Sequence, residues 1–244
     1  MGGEGKGREA GGPGASSYDV TINLQLDRIA PGVEIGPHRH GVETIVYVAG
    51  GQIVFEHGED LERRVAVDAG DVLYEAPAEY HLVRNEGTTD ALALLASIDV
   101  DERRLGTMLQ RWDDDREPVR RSEEATIDRR GGITRSLIVR PGDFGTATFS
   151  VAEVELEPRA ADGWHRHPNA EHALVVFEGR GVISVDDVTE TLEPLKGIRV
   201  EPGLPHRVEN TGRTRLRYYV CASPGTDPLV DREPVEAPPR RLDA

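Results

Sequence analysis

The 244-residue chain has one cysteine, two lysines and few aromatic side chains (5%). A lone Cys221 excludes an intramolecular disulfide framework and any cysteine-built zinc cluster. It lies in the apolar run 218–222 and is expected to be a buried structural thiol. Lysine is scarce too: of 29 basic residues all but Lys6 and Lys196 are Arg, and 44 acidic residues bring the net charge to −15, which argues against nucleic acid and anionic membrane surfaces as partners. No apolar run approaches the roughly 20 residues a membrane span needs. Residues 1–17 are rich in Gly and charge, without the apolar stretch of a signal peptide, so a disordered tail is expected. Together these features point to the cytoplasm.

Short runs of alternating or β-branched residues are plentiful: Val20 to Leu26, Thr44 to Val48, Gln52 to Glu56, Val72 to Glu75, Ala91 to Ile98. Gly, Pro, Asn and Asp clusters divide them, a spacing that predicts an all-β sandwich or barrel. The charged stretch 101–130 interrupts this pattern. Its first part, Asp101 to Trp112, is helix-compatible, and the remainder reads as an exposed linker. Strand patterning resumes at Gly132 and lasts to about Ala222; beyond it a Pro-rich tail, 224–244, is expected to hang loose or drape over the surface.

The chain also repeats itself. His38-Arg39-His40 returns as His165-Arg166-His167, and His81 with Asn85 returns as His206 with Asn210. Two units with one internal order imply two copies of one fold. Six of the eight histidines form the repeat and a seventh, His172, follows its second His-x-His pair; His57 lies outside, in a polar turn where it is expected to be solvated. Residues i and i+2 of a strand share a face, so each His-x-His pair presents two imidazoles to one point. His81 or His206 from a later strand adds a third, and Glu43, just downstream of the first pair, offers a carboxylate. Such a set suits Fe, Mn, Zn, Ni, Cu or Co and leaves coordination positions open. Asn85 and Asn210 are expected to cap turns, and Arg39 and Arg166 to point away from the ligands.

These motifs resemble the cupin superfamily. Its first motif is matched by Gly32, His38, His40, Glu43 and Gly50, with the His40–Glu43 gap one residue short. Its second is matched by Gly70, Pro77, His81 and Asn85, with Pro77 displaced by one and Glu79 in place of a Gly. In the second copy, Gly179, Gly203, Pro205, His206 and Asn210 match, and Leu195 replaces a Gly. Counting seven back from Gly179 puts His172 at the carboxylate position, with Glu171 beside it. A one-residue slip flips a side chain to the other face, so one of the two can ligate. His172 is preferred, because it keeps Leu174 and Val176 facing the cavity.

The resemblance implies two tandem cupin barrels (double-stranded β-helix or jelly-roll), at 18–100 and 131–223, joined by the 101–130 linker. It implies one divalent metal ion per barrel, Fe favoured, held by His38, His40, Glu43 and His81 in the first and by His165, His167, His172 and His206 in the second. If Glu43 faces inward, so do Ile45 and Tyr47. Tyr47 is then the candidate for a hydrogen bond or proton transfer beside the metal, a plain core aromatic being the other reading. The remaining lining is expected to be apolar and uncharged, suiting a small organic substrate. The opposite faces of the same strands are also apolar, so the barrels are expected to pack together as an intramolecular pseudo-dimer, or against a second chain in a homo-oligomer. The leading functional expectation is an Fe(II)-type oxygenase. The others are a redox-neutral isomerase or cyclase using the metal as a Lewis acid, and a non-catalytic binding module.

Overall fold

The computed structural model describes residues 22–99, 117–145, 148–226 and 231–238. The N-terminal tail 1–17 and the helix-compatible stretch 101–112 lie outside them. Alternating apolar residues in the first half form β1 (Asn23–Ile29), β2 (Glu34–His38), β3 (Val42–Gly50), β4 (Gln52–His57), β5 (Arg63–Asp68), β6 (Val72–Glu75), β7 (His81–Arg84) and β8 (Ala91–Asp99). They make two facing antiparallel sheets, ordered β1-β8-β3-β6 and β2-β7-β4-β5. Ile29, Val46, Val48, Ile53, Phe55, Leu73 and Val83 fill the space between them. Burying each such side chain stabilises by about 1.5–3 kcal/mol.

The second half repeats the design with β10 (Thr126–Arg130), β11 (Ile133–Val139), β12 (Ser150–Leu156), β13 (His165–Arg166), β14 (Glu171–Glu178), β15 (Gly181–Val185), β16 (Val188–Leu192), β17 (Gly197–Val200), β18 (His206–Glu209) and β19 (Leu216–Ser223). Its core gathers Val154, Leu156, Leu174, Val176, Ile183, Val200 and Val208. The architecture is therefore two all-β barrels in tandem. Among the described residues helix is limited to a 3-10 turn at Ser122–Glu124, and no helix is long and apolar enough to cross a membrane.

The repeat extends to turn chemistry. Asn85 Nδ2 donates to the carbonyls of Ile29 and Thr89 while its Oδ1 accepts from Gly87 N–H. Asn210 does the same with Leu156, Thr214 and Gly212. Both amides are buried, so they cap turns, as expected.

A third cluster lies between the barrels. Ile45, Tyr47, Tyr74, Ala96 and Ile98 of the first pack against Val139, Phe149, Val151, Ala173, Val175, Tyr219 and Cys221 of the second. Strands β3 and β14 thus bury both faces, one in their own barrel and one against the other barrel, and the pseudo-dimer is seen directly. Cys221 is buried there, and burial pushes its thiol up to about 12.

Residues 117–130 are not the free linker expected. β9 (Val119–Arg120) adds to the first barrel's sheet beside β6, with Val119 buried, and β10 pairs with β11 in the second. A sheet edge offers unpaired N–H and C=O groups to any passing chain, and connecting residues take them. The C-terminal stretch drapes: β20 (Glu233–Pro234) pairs with β13.

Candidate metal centres

The structure gathers the expected histidines into two clusters, His38–His40–His81 and His165–His167–His206. In each, one ligand atom per residue lies within 4.8 Å of the others. The opposed strands explain this: His38 pairs with His81 across β2–β7 and His165 with His206 across β13–β18. His40 and His167 follow just beyond β2 and β13.

The donor chemistry fits a metal. His40 Nδ1 lies 2.9 Å from Val42 O, His81 Nδ1 3.0 Å from Glu79 O, His165 Nδ1 2.8 Å from Gly163 O, His167 Nδ1 2.9 Å from Asp231 O, and His206 Nδ1 3.0 Å from Leu204 O. A carbonyl only accepts, so in His81, His167 and His206 Nδ1 carries the proton and donates, and the Nε2 lone pair is left to ligate; His165 Nδ1 also meets Arg232 Nη2 at 3.1 Å, and His40 Nε2 meets Glu75 at 3.2 Å. Nε2 of His81 and of His172 is buried without a hydrogen-bond partner, a costly state that a cation relieves. Charge state agrees. Burial, helped by neighbouring imidazoles, pushes His165 down to about 3 and His167 to about 4, and holds His172 well below the usual range. Burial also lowers His206 and His81. Neutral imidazoles are what a metal requires.

In the second barrel His172 joins the cluster. Its ring centroid lies 3.9 Å from that of His167 and 6.1 Å from that of His206. Leu174, Val200 and Val208 line the same cavity. Glu171 points the other way: its Oε1 accepts Ile22 N–H at 3.1 Å and pairs with Arg199 at 2.9 Å.

In the first barrel the expected phase is corrected. Glu43 is not with the histidines; it is fully buried on the opposite face, where Tyr74 Oη donates to it at 3.0 Å. Ile45 and Tyr47 follow it into the inter-barrel cluster, while Val46 and Val48 line the barrel. Tyr47 therefore does not face the cavity. Its hydroxyl donates to Glu153 of the other barrel at 2.5 Å, and its ring stacks on Phe177. The misplaced phase comes from the glycine used as anchor. The turn glycine equivalent to Gly179 is Gly51, not Gly50. Gly51 has φ +72° and a Cβ there would meet Asp90 O at 2.7 Å, and Gly179 has φ +84° with Arg215 O at 2.1 Å, whereas Gly50 has open space. Seven residues before Gly51 stands Thr44, which lines the cavity.

A residue not foreseen from the sequence fills the gap. Glu75, at the end of β6, is 5% exposed and faces the first cluster. Its Oε2 lies 3.2 Å from His40 Nε2 and its Oε1 4.0 Å from His81 Nε2. The hydrogen bond from His40 to Glu75 raises the His40 pKa. His57 is also misplaced by the sequence reading: it closes β4, is 4% exposed, and pairs with half-buried Glu79 at 2.9 Å.

The surroundings of the two clusters differ. The first opens on a cavity of about 210 Å3 lined by Ile35, Val46, Val83 and Leu95, with Gln25, Asp27 and Ser97 on its walls. The second has about 50 Å3 and is not apolar throughout, since Arg135, Asp162 and Arg232 line it. The C-terminal stretch covers it, with Val235 N–H donating to Trp164 O at 3.1 Å and Asn169 Nδ2 to Asp231 Oδ1 at 2.9 Å.

Residues 25–97 and 152–222 match the Cupin_2 family, the cupin domain. The tetracenomycin polyketide synthase protein TcmJ of Streptomyces glaucescens is 33% identical over 121 residues, covering 48% of this chain and 80% of that protein. An uncharacterized Methanocaldococcus jannaschii protein, MJ1618, is 31% identical over 100 residues, 40% of this chain and 78% of that one. Among solved structures, a Bacillus subtilis oxalate decarboxylase studied for its Mn(II) centres aligns with a TM-score of 0.69 at 16% identity, over 86% of this chain and 70% of that one. The same enzyme at pH 4.6 aligns at 0.68 and 17%, over 83% and 68%. These structures share the fold, and the chain belongs to the cupin family, with two cupin domains in tandem.

Proposed function

We propose that this chain is a metal-dependent enzyme whose first barrel transforms a small organic molecule, and that the histidines of both clusters are metal ligands. The observation that carries the reading is the space the histidines themselves border: about 210 Å3 lined by His38 and His40 of the first cluster, against about 50 Å3 under a covering segment at the second, where the wider space of about 320 Å3 beyond Arg135, Asp162 and Arg232 touches no histidine. The cavity at the first cluster, about 210 Å3, is below the roughly 300–1,000 Å3 of pockets for drug-sized ligands, so the substrate is small. When bound, the metal supplies a Lewis-acidic centre with open coordination positions. The chain supplies the rest. Ile35, Val46, Val83 and Leu95 exclude water and hold an apolar body; Gln25, Asp27 and Ser97 orient polar groups.

The first chemical reading is an Fe(II)-type oxygenase, supported by the imidazole-rich centres and the apolar back wall. A redox-neutral isomerase or cyclase is the second, favoured by the 33% identity to a polyketide synthase protein and by Asp27, a carboxylate on the cavity wall. A buried lone thiol accords with the cytoplasm.

The test is a panel of small aromatic and polyketide-like compounds incubated with the metal-loaded chain under air and under nitrogen. Turnover that needs air supports the oxygenase, and turnover in both atmospheres the second reading. Tight binding without turnover overturns the enzyme reading in favour of a binding module.

A further inference from the structure

Across β3–β6, Thr44 and Glu75 are directly opposed; across β14–β17, the opposed pair is His172 and Val200. The two pairs occupy equivalent places. Thr44 and His172 each stand two residues before a barrel-lining residue, Val46 and Leu174, and seven before the turn glycine, Gly51 and Gly179. Opposed residues share a face with Cβ atoms about 4.5–5.5 Å apart. A ligating group mounted on either strand therefore reaches the same point above the three histidines. In the second barrel the polar group is on the first strand of the pair and the partner is apolar. In the first barrel the carboxylate, Glu75, is on the second strand of the pair, and its partner Thr44 carries only a hydroxyl.

We propose that Glu75 is the fourth protein ligand of the first barrel's metal, supplied from the strand opposite the one that supplies His172 in the second. The carboxylate already faces the Nε2 atoms of His40 and His81. His40 Nδ1 is taken by Val42 O, so Glu75 approaches the nitrogen that ligates, not the outer one a merely orienting carboxylate would hold. The two centres then differ in kind. The first is three imidazoles and a carboxylate, suited to harder ions; the second is imidazole alone. Glu43, which occupies a carboxylate place in sequence, has no part in either.

The proposal rests on the reading of the first cluster as a metal centre, and the test separates the two. The full chain, stripped with chelator, is titrated with Co(II) and followed by visible absorption, in wild type, Glu75→Gln, Glu75→Val and Glu75→Val/Thr44→His. The expected result is two sites in wild type. Glu75→Gln and Glu75→Val weaken one of them at least about tenfold and change its absorption bands. The double variant, a copy of the second barrel's arrangement, regains affinity with bands like those of the second site. Thermal melts of the metal-free variants check that the fold is kept. Two sites of unchanged affinity and spectrum in Glu75→Gln overturn the proposal alone. A weakened site whose bands keep their shape also overturns it, since Glu75 then only orients His40. A wild-type chain that binds no Co(II) overturns the metal reading and the proposal together.

Discussion

Glu171 and His172 are neighbours in sequence, yet one holds the seam between the barrels while the other faces the second cluster. Strand alternation makes this separation obligatory. His172→Ala should therefore lower metal content at the second centre, and Glu171→Ala should leave it intact. Glu171→Ala instead removes the acceptor of the buried Ile22 N–H and should cost about 1–3 kcal/mol of stability, read by denaturant unfolding. Metal loss in the Glu171 variant would reverse the assignment.

The covering segment should matter to the second centre only. Asp231 O accepts from His167 Nδ1, and outer partners of this kind are worth about 10–100-fold in metal affinity. A chain ending before Asp231 should release its second metal to a competing chelator faster and keep the first unchanged. Equal effects on both centres would contradict the asymmetry.

Acid should destabilise the metal-free protein through its second barrel. His165, His167, His172 and His206 are held neutral by burial, while in the unfolded chain they titrate near 6.5. Below that pH the unfolded state takes up protons that the folded state refuses, so stability falls as pH falls from about 6.5 towards 4. His40, raised by Glu75, has the opposite sign: it adds stability below its unfolded pKa, lost as pH rises through its folded one. With His81 of the first barrel, also lowered by burial, five groups outweigh one. The melting midpoint should drop between pH 7 and 5, and a flat profile would refute the argument. His40 must shed a raised proton to ligate, so the first centre should also lose metal at a higher pH than the second.

The seam between the barrels should behave as core. Tyr47→Phe removes the bond to Glu153 and should cost about 0.5–3 kcal/mol with turnover unchanged, because the hydroxyl does not reach the cavity. Halves 22–121 and 122–238 expressed separately should aggregate through the exposed apolar face, and co-expressed should elute as a one-to-one complex. Two well-behaved, non-associating halves would show that the shared cluster is dispensable.

Much of this was legible in the sequence because duplication doubles every signal. The His-x-His pairs, the later histidines and the capping asparagines recur in order, and the second barrel's phase follows from His172 and Gly179. The first barrel's phase was hidden by two adjacent glycines, Gly50 and Gly51, of which only the second has the left-handed backbone that marks the turn. Glu75 gave no signal, because β6 is buried on both faces and a strand of that kind shows no alternation. A carboxylate opposite Thr44 is a property of strand pairing, not of either strand alone. His57 and the edge strand at 119–120 were likewise set by partners distant in sequence; strand 126–130 pairs locally, with β11 across Gly131-Gly132.

The most direct test is elemental analysis of the chain purified without added metal, alongside His81→Ala and His206→Ala. Two centres predict about two equivalents of divalent metal per wild-type chain and about one in each variant. A wild-type chain with no metal, and none taken up on titration, would contradict the account at its centre.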